Sequence, residues 1–369
     1  MAPIRIRTAS KWVAHFRDAL DICPNFVLIW FNTDSRVFSG KTPVQAARQI
    51  ELMVKRSETP GRLDDAARAG WLYYVAGRTQ DEIAAAMGIS RQSAQRLVSL
   101  AVAERLIKVR LDHPIAACLE LADAVRKKYD LKHVEVVPSD PVSGSTTVGI
   151  AESAAAEIER WLKKPDPIVL AVGTGRTLKA AVDQLPAIEC PKHRIVSLTG
   201  NIAPDGSAAY YNVIFSMADA VKARHFPMPL PVLVTSAEER ETLHAQQLVR
   251  ATLEMSAQAD VTFVGIGELG IDGPLCVDGF LEKDEMMELM RNGAVGEICG
   301  WIFDADGKLL DNPINERVAS ASIPSRDSST VIGIGKGKRK FRAIKAAVTG
   351  HQINGLITDE EVAEYLLKP

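Results

Sequence analysis

Apolar positions change their period along the chain, and each change marks an element. From Leu63 they recur at helical spacing. "DDAARAGWLYYVAG" predicts a helix that stops at Gly77. "TQDEIAAAMG" predicts a second, with Thr79 as N-cap, acids in the first turn and Gly88 as the stop. "SRQSAQRLVSLAVAERL" predicts a third, opening on Ser90. The short alternating run "IKVRL" reads as a wing or the start of a linker, and Pro114 closes the unit.

After Pro114 the rhythm becomes strand and helix in turn. "IAACLELADAVRKKY" predicts an amphipathic helix. "HVEVVP", "PIVLAVG", "HRIVSLTG", "LPVLVTS", "DVTFVGIG", "TVIGIG" and "GLIT" predict strands. Helical patterns at Val148–Lys163, Asn212–Arg224, Ala237–Met255, Lys283–Asn292 and Lys338–Val348 lie between most of them. Continuous apolar strands alternating with helices predict a parallel sheet with both faces covered. The expected fold class is α/β: an N-terminal helix-turn-helix domain, then a doubly wound, mainly parallel α/β domain.

Residues 1–60 show no period that ties them to the rest. "CPNFVLIWFN" reads as a strand and "PVQAARQIELMV" as a helix after Thr42. Met53 precedes a polar leader, "VKRSETPGR". Residues 1–52 are then either an extension upstream of a start at Met53, and dispensable, or an N-terminal arm. The expected organisation is an unassigned extension over 1–60, a DNA-reading domain over 61–112 and an effector and oligomerisation domain over 113–369.

Composition changes this picture little. The chain is 47% apolar and 24% charged, with a net charge of -2, so any attraction to nucleic acid must be local. Between residues 61 and 110 eight Lys and Arg face five Asp and Glu. That excess suits one half-site reader in a multimer better than a tight monomeric binder. Five Cys without a C-x-x-C pair and seven His without H-x-x-x-H spacing predict neither a disulfide framework nor a metal site. No cofactor is expected. No apolar run of membrane-spanning length and no signal-peptide core are legible, so a cytoplasmic location is expected.

Two segments carry candidate chemistry. In the first, Gly88 permits the sharp turn and Ile89 buries itself between helices. The expected DNA-contacting set is Thr79, Ser90, Arg91, Gln92, Ser93, Gln95 and Arg96. Gln and Arg match adenine and guanine edges in the major groove. In the second, "VLAVGTGRTL", Gly173 and Gly175 let backbone N–H groups approach a ligand. Thr174 and Thr177 add hydroxyls and Arg176 a bidentate cation, and a helix N-terminus follows. The loop suits a phosphate, and equally it suits a plain tight turn. It is neither a dinucleotide fingerprint nor a Walker A loop. Other strand ends deliver Thr199, Gly200, Asn201, Gly267, Asp278, Glu297, Asp304 and Lys340, which complete the expected effector-binding set.

Together these segments resemble the SorC family of sugar-sensing bacterial transcriptional regulators over about residues 61–369. "RLDDAARAGWLYYVAGRTQDEIA" and "SRQSAQRLVSLAVAERLIKVRLDHPIA" look most like its polyol-responsive branch, which includes erythritol regulators. "GTGRT", "GIG…PL..DGF", "FDADG" and "GLITDE" carry the rest of the resemblance. It implies a sugar-binding domain similar to ribose-5-phosphate isomerase and glucosamine-6-phosphate deaminase, a dimer or tetramer, and operator DNA binding controlled by a small sugar or polyol, with Arg176 favouring the phosphorylated form. Two positions depart from the family pattern. Glu297 stands where it usually has Asp, and Lys336 stands where small residues are usual. The alternative function is a sugar-phosphate isomerase or deaminase, with Asp278, Glu297, Asp304 and Lys340 as remnants of its machinery. The fused DNA reader favours sensing.

Overall fold

The computed structural model describes residues 59–369 apart from 105, 108–114, 141, 143, 144, 204, 205 and 209. The expectations for residues 1–58 and for most of "IKVRL" lie outside the described residues. The chain divides between residues 109 and 110 into two compact units.

Among the described residues the first unit holds three helices: α1 (Thr59–Tyr74), α2 (Gln80–Met87) and α3 (Arg91–Ala103). Helix α1 begins five residues before the expected Asp64. Helix α2 opens on a reciprocal cap. The Glu82 N–H donates to Thr79 Oγ1 at 3.3 Å, and the Thr79 N–H donates to Glu82 Oε2 at 2.8 Å. Gly88 ends α2 at φ 67°, the left-handed region that a side chain disfavours. Ser90 caps α3, accepting from the Ser93 N–H at 3.1 Å. Ala69, Ile83, Ala84, Ala94 and Val98 form the core, with Leu72, Met87, Ile89 and Leu97 packed against it. Small residues at the crossings let three short helices close on little apolar area. Loss of one cap is therefore felt. Thr79→Ala is expected to lower the stability of this unit by about 1 kcal/mol, read from its melting transition.

The second unit is wound around a seven-stranded sheet. In chain order it comprises α4 (Ala116–Tyr129), β1 (His133–Val137), α5 (Ile150–Leu162), β2 (Val169–Val172), α6 (Arg176–Asp183), β3 (Arg194–Ile202), α7 (Val213–Val221), β4 (Arg224–Pro231), α8 (Ala237–His244), α9 (Gln247–Ala257) and β5 (Val261–Gly265). Then follow β6 (Gly267–Glu268), α10 (Pro274–Val277), α11 (Lys283–Arg291), β7 (Gly296–Ile298), β8 (Trp301–Phe303), α12 (Pro313–Arg317), β9 (Thr330–Ile334), a 3₁₀ turn (Lys338–Lys340), α13 (Phe341–Thr349), β10 (Gly355–Asp359) and α14 (Glu360–Leu367).

The strand order is β1-β10-β9-β5-β2-β3-β4, and every pairing is parallel. The period-two pattern sends side chains to two cores. Val169, Ala171, Val196, Leu198, Val264, Val331 and Leu356 pack with α4, α9, α13 and α14. Leu170, Val172, Ile195, Phe263, Ile332 and Ile357 pack with α5, α6 and α7. A smaller antiparallel sheet, β6-β7-β8, lies over a third cluster that includes Leu275, Met286, Leu289 and Ile302.

Three expectations need correction. The strand expected at "LPVLVTS" is β4, Arg224–Pro231, further upstream. Its Pro227, Pro229 and Pro231 cannot donate to a ladder, and β4 sits at the sheet edge, where proline is tolerated. The helix expected over Ala237–Met255 is two, because Gln246 is extended (φ -63°, ψ 135°). Helix α8 buries no residue, whereas α9 turns Val249, Thr252 and Ser256 inward. The helix expected from Lys338 starts with a 3₁₀ turn and becomes α-helical at Phe341.

Candidate effector cavity and nucleic-acid interface

In the sheet order, the chain leaves β2 toward β3 on one side and continues from β5 to β9 on the other. The crevice beyond the carboxyl ends of β2 and β5 is therefore the switch point where open α/β sheets bind ligands. A cavity of about 120 Å³ lies there, room for several waters.

The β2 end supplies Thr174, Gly175, Arg176 and Thr177 to its wall. Gly175 is the N-cap of α6 and puts no side chain on the first-turn amides. Those N–H groups and the helix dipole favour an anion. Thr174 Oγ1 donates to the Tyr211 carbonyl at 2.8 Å, which fixes the loop. Arg176 is exposed and sits close enough to Asp278 to oppose the effect of burial, which pushes that carboxyl up. Thr177 is buried.

The side of the cavity beyond β5 and β9 carries Gly267, Glu268, Glu297 and Lys340. Strands β6 and β7 pair Gly267 with Glu297 and Glu268 with Gly296. A Cβ on residue 267 would sit 1.9 Å from Glu297 Oε1, so any side chain there would displace that carboxylate. Glu297 Oε2 accepts the Gly300 N–H at 2.8 Å. Burial pushes Glu297 up, opposed by that N–H and by Lys340. The Lys340 ammonium donates to the Ile266 carbonyl at 2.7 Å and lies 3.6 Å from Glu268 Oε2. Burial and, to a lesser degree, the Arg176 charge push Lys340 down, opposed by Glu268 and Glu297. Cys299 and Gly300 form the two-residue β7–β8 turn, with φ of 54° and 85°. The Cys299 thiol lines the cavity and is pushed up to about 12 by burial, so it stays neutral.

The expected residues are thus divided. Thr174, Gly175, Arg176, Thr177, Thr199, Gly267, Asp278, Glu297 and Lys340 line one cavity. Gly173, Gly200 and Asn201 line a smaller hollow beside it, which shares Thr174, Thr199 and Tyr211. Gly200 also has a packing role, since a Cβ there would lie 2.2 Å from the Leu230 carbonyl. Asp304 lines neither. Its Oδ1 accepts the Asp306 and Lys308 N–H groups, each at 2.9 Å, and closes its own turn. Lys336 lies outside both as well. It is 8% exposed and donates to the Val148 carbonyl at 3.0 Å, so it is neither a cavity charge nor a solvated one. Sequence reasoning missed Thr146, Tyr210, Tyr211, Glu268 and Cys299 as cavity residues.

On the first unit, Arg91, Gln92, Gln95 and Arg96 are all exposed on α3. Arg91 Nε stands 3.4 Å from Asp81 Oδ1 in an exposed pair. Thr79, Ser90 and Ser93 are engaged in the caps, Ser90 Oγ and Ser93 Oγ lying 2.9 Å apart. Among the described residues no helix is long and apolar enough to cross a membrane.

Comparison with known proteins gives a consistent result. Residues 113–368 match the family model described as "Putative sugar-binding domain". The erythritol catabolism regulatory protein EryD of Brucella abortus (strain 2308) is 33% identical over 302 residues, covering 82% of this chain and 96% of EryD. The transcriptional regulator LsrR of Escherichia coli (strain K12) is 30% identical over 310 residues, covering 83% of this chain and 95% of LsrR. The crystal structure of the full-length sorbitol operon regulator SorC from Klebsiella pneumoniae matches with a TM-score of 0.62 at 25% identity, covering 82% of this chain and 98% of SorC.

Proposed function

This chain belongs to the SorC family of sugar-binding-domain transcriptional regulators, and on that premise we propose that the cavity at the β2–β5 switch point holds the effector that controls its DNA binding. The effector is a small polyhydroxylated molecule with an anionic group, a sugar or polyol phosphate. One observation carries this reading. The uncapped first turn of α6 and the Arg176 guanidinium meet at one end of a cavity that has polar acceptors at its other end. EryD and SorC are named for erythritol catabolism and for a sorbitol operon, which supports a polyol.

Helix α3 reads the operator through Arg91, Gln92, Gln95 and Arg96, while Thr79, Ser90 and Ser93 serve mainly as caps. The working boundaries are 61–112 for DNA reading and 113–369 for effector binding. The second unit also assembles the protein into a dimer or tetramer, because a half-site reader needs a symmetric partner. The protein senses its ligand in the cytoplasm without turning it over.

The decisive experiment is a thermal-shift screen of polyols, sugars and their phosphates, followed by operator binding with each hit. At least one phosphate is expected to raise the melting temperature and change operator affinity. A screen in which no compound of this class does either refutes the reading. One observation favours turnover instead: Glu297 and Lys340 are each displaced toward neutrality, as acid–base residues often are. Product formation from pentose or tetrose phosphates would establish that alternative.

A further inference from the structure

We propose that Glu268 sets the ligand class of the cavity, admitting molecules with one anionic group at the α6 end and a neutral hydroxyl at the other, and rejecting those with a second anion there. This rests on the effector reading above and specifies it.

Glu268 ends the two-residue strand β6, and its side chain is 15% exposed. Its Oε2 is buried and has no hydrogen-bond partner, although Lys340 Nζ stands 3.6 Å away. That ammonium already donates to the Ile266 carbonyl. The other oxygen, Oε1, lies 3.7 Å from Nε of the exposed Arg339. Glu297 faces the same space, one of its oxygens held by the Gly300 N–H. Two carboxylates therefore face one buried ammonium, with the exposed Arg339 guanidinium beside them, and this part of the cavity is rich in acceptors.

A buried acceptor without a donor is costly, and a ligand hydroxyl removes that cost. A phosphate or carboxylate would instead meet Glu268 with like charge, at low dielectric. Lys340 and Arg339 offset this only in part, because both already pair with Glu268. The favoured class is a monophosphate ending in CH₂OH or CHOH. Bisphosphates and aldonate phosphates are disfavoured.

The test is calorimetry on the full chain with matched ligands. Sorbitol 6-phosphate is paired with 6-phosphogluconate, and erythritol 4-phosphate with 4-phosphoerythronate. Each pair differs only in CH₂OH against carboxylate. Sorbitol and gluconate form a phosphate-free pair. Wild type is expected to prefer the alditol by ~10-fold or more in any pair that binds. Glu268→Gln is nearly isosteric and is expected to shrink that ratio to within ~3-fold, mainly by gaining aldonate affinity. Arg176→Ala is expected to weaken both members of each phosphate pair and leave their ratio unchanged.

Equal affinities in wild type, or an undiminished ratio in Glu268→Gln, overturn the assignment. The two ideas fail differently. If phosphate adds affinity while the ratio is one, Glu268 falls and the anion cradle stands. If phosphate adds nothing but the alditol preference depends on Glu268, the cradle falls and Glu268 stands. Absence of binding in every arm refutes both.

Discussion

Replacing Arg91, Gln92, Gln95 and Arg96 together by alanine is expected to abolish specific operator binding while leaving the fold and the effector response of the second unit in place. All four side chains are exposed on α3, and none belongs to the core built from Ala69, Ile83, Ala84, Ala94 and Val98. Their removal leaves no cavity, and alanine is the best helix former. The Arg91–Asp81 pair is exposed on both sides, so breaking it costs little. On DNA the balance differs. A bidentate contact to a base edge contributes ~1–3 kcal/mol, so losing the set removes about 4 kcal/mol or more per half-site. That is a factor of roughly a thousand.

The single variants separate roles. Gln92→Ala and Gln95→Ala should alter base preference, whereas Arg96→Ala should weaken all sequences alike and flatten the salt dependence if Arg96 grips phosphate. Fluorescence anisotropy on operator and scrambled duplexes at two salt concentrations reads these outcomes. Unchanged operator affinity in the quadruple variant removes α3 as the reading helix.

How much of this was legible in the sequence depended on the range of the cause. Thr79, Gly88 and Ser90 act through backbone groups within four residues, so capping rules placed α2 and α3 closely. The parallel sheet was legible because β2, β5, β9 and β10 are buried on both faces and read as unbroken apolar runs. Strand β4 was misplaced because its alternate prolines suppress the signal, and only the sheet order reveals that it is an edge. Glu268 could not be found locally. In "GELG" it reads as a turn acid, and it becomes a cavity residue only when β6 pairs with β7 and the Lys340 turn closes over it. Asp304 failed in the opposite sense. "FDADG" holds Asx-turn chemistry, and the carboxylate is consumed by its own loop. Tyr210 and Tyr211 reach the cavity from a connection that carries no periodic signal at all.

The opposite separation is expected at the anion cradle. Arg176→Ala should cost ~1.5–3 kcal/mol of effector affinity, the range for a hydrogen bond to a charged group, or about ten- to a hundredfold in Kd. Arg176 is the first residue of α6 and its side chain is exposed, so truncation leaves the buried Thr177 and Leu178 in place and should not unfold the unit. The first-turn amides remain, which is why the loss is partial. Operator binding without effector should survive, because α3 belongs to the other unit. The protein would then be held in its ligand-free regulatory state. Calorimetry with a phosphorylated and an unphosphorylated form of the same polyol decides the matter. The phosphate should lose most of its advantage in Arg176→Ala, while the unphosphorylated polyol should bind as it does to wild type. If both forms bind the variant as tightly as wild type, the Gly173–Thr177 segment is only a tight turn between β2 and α6.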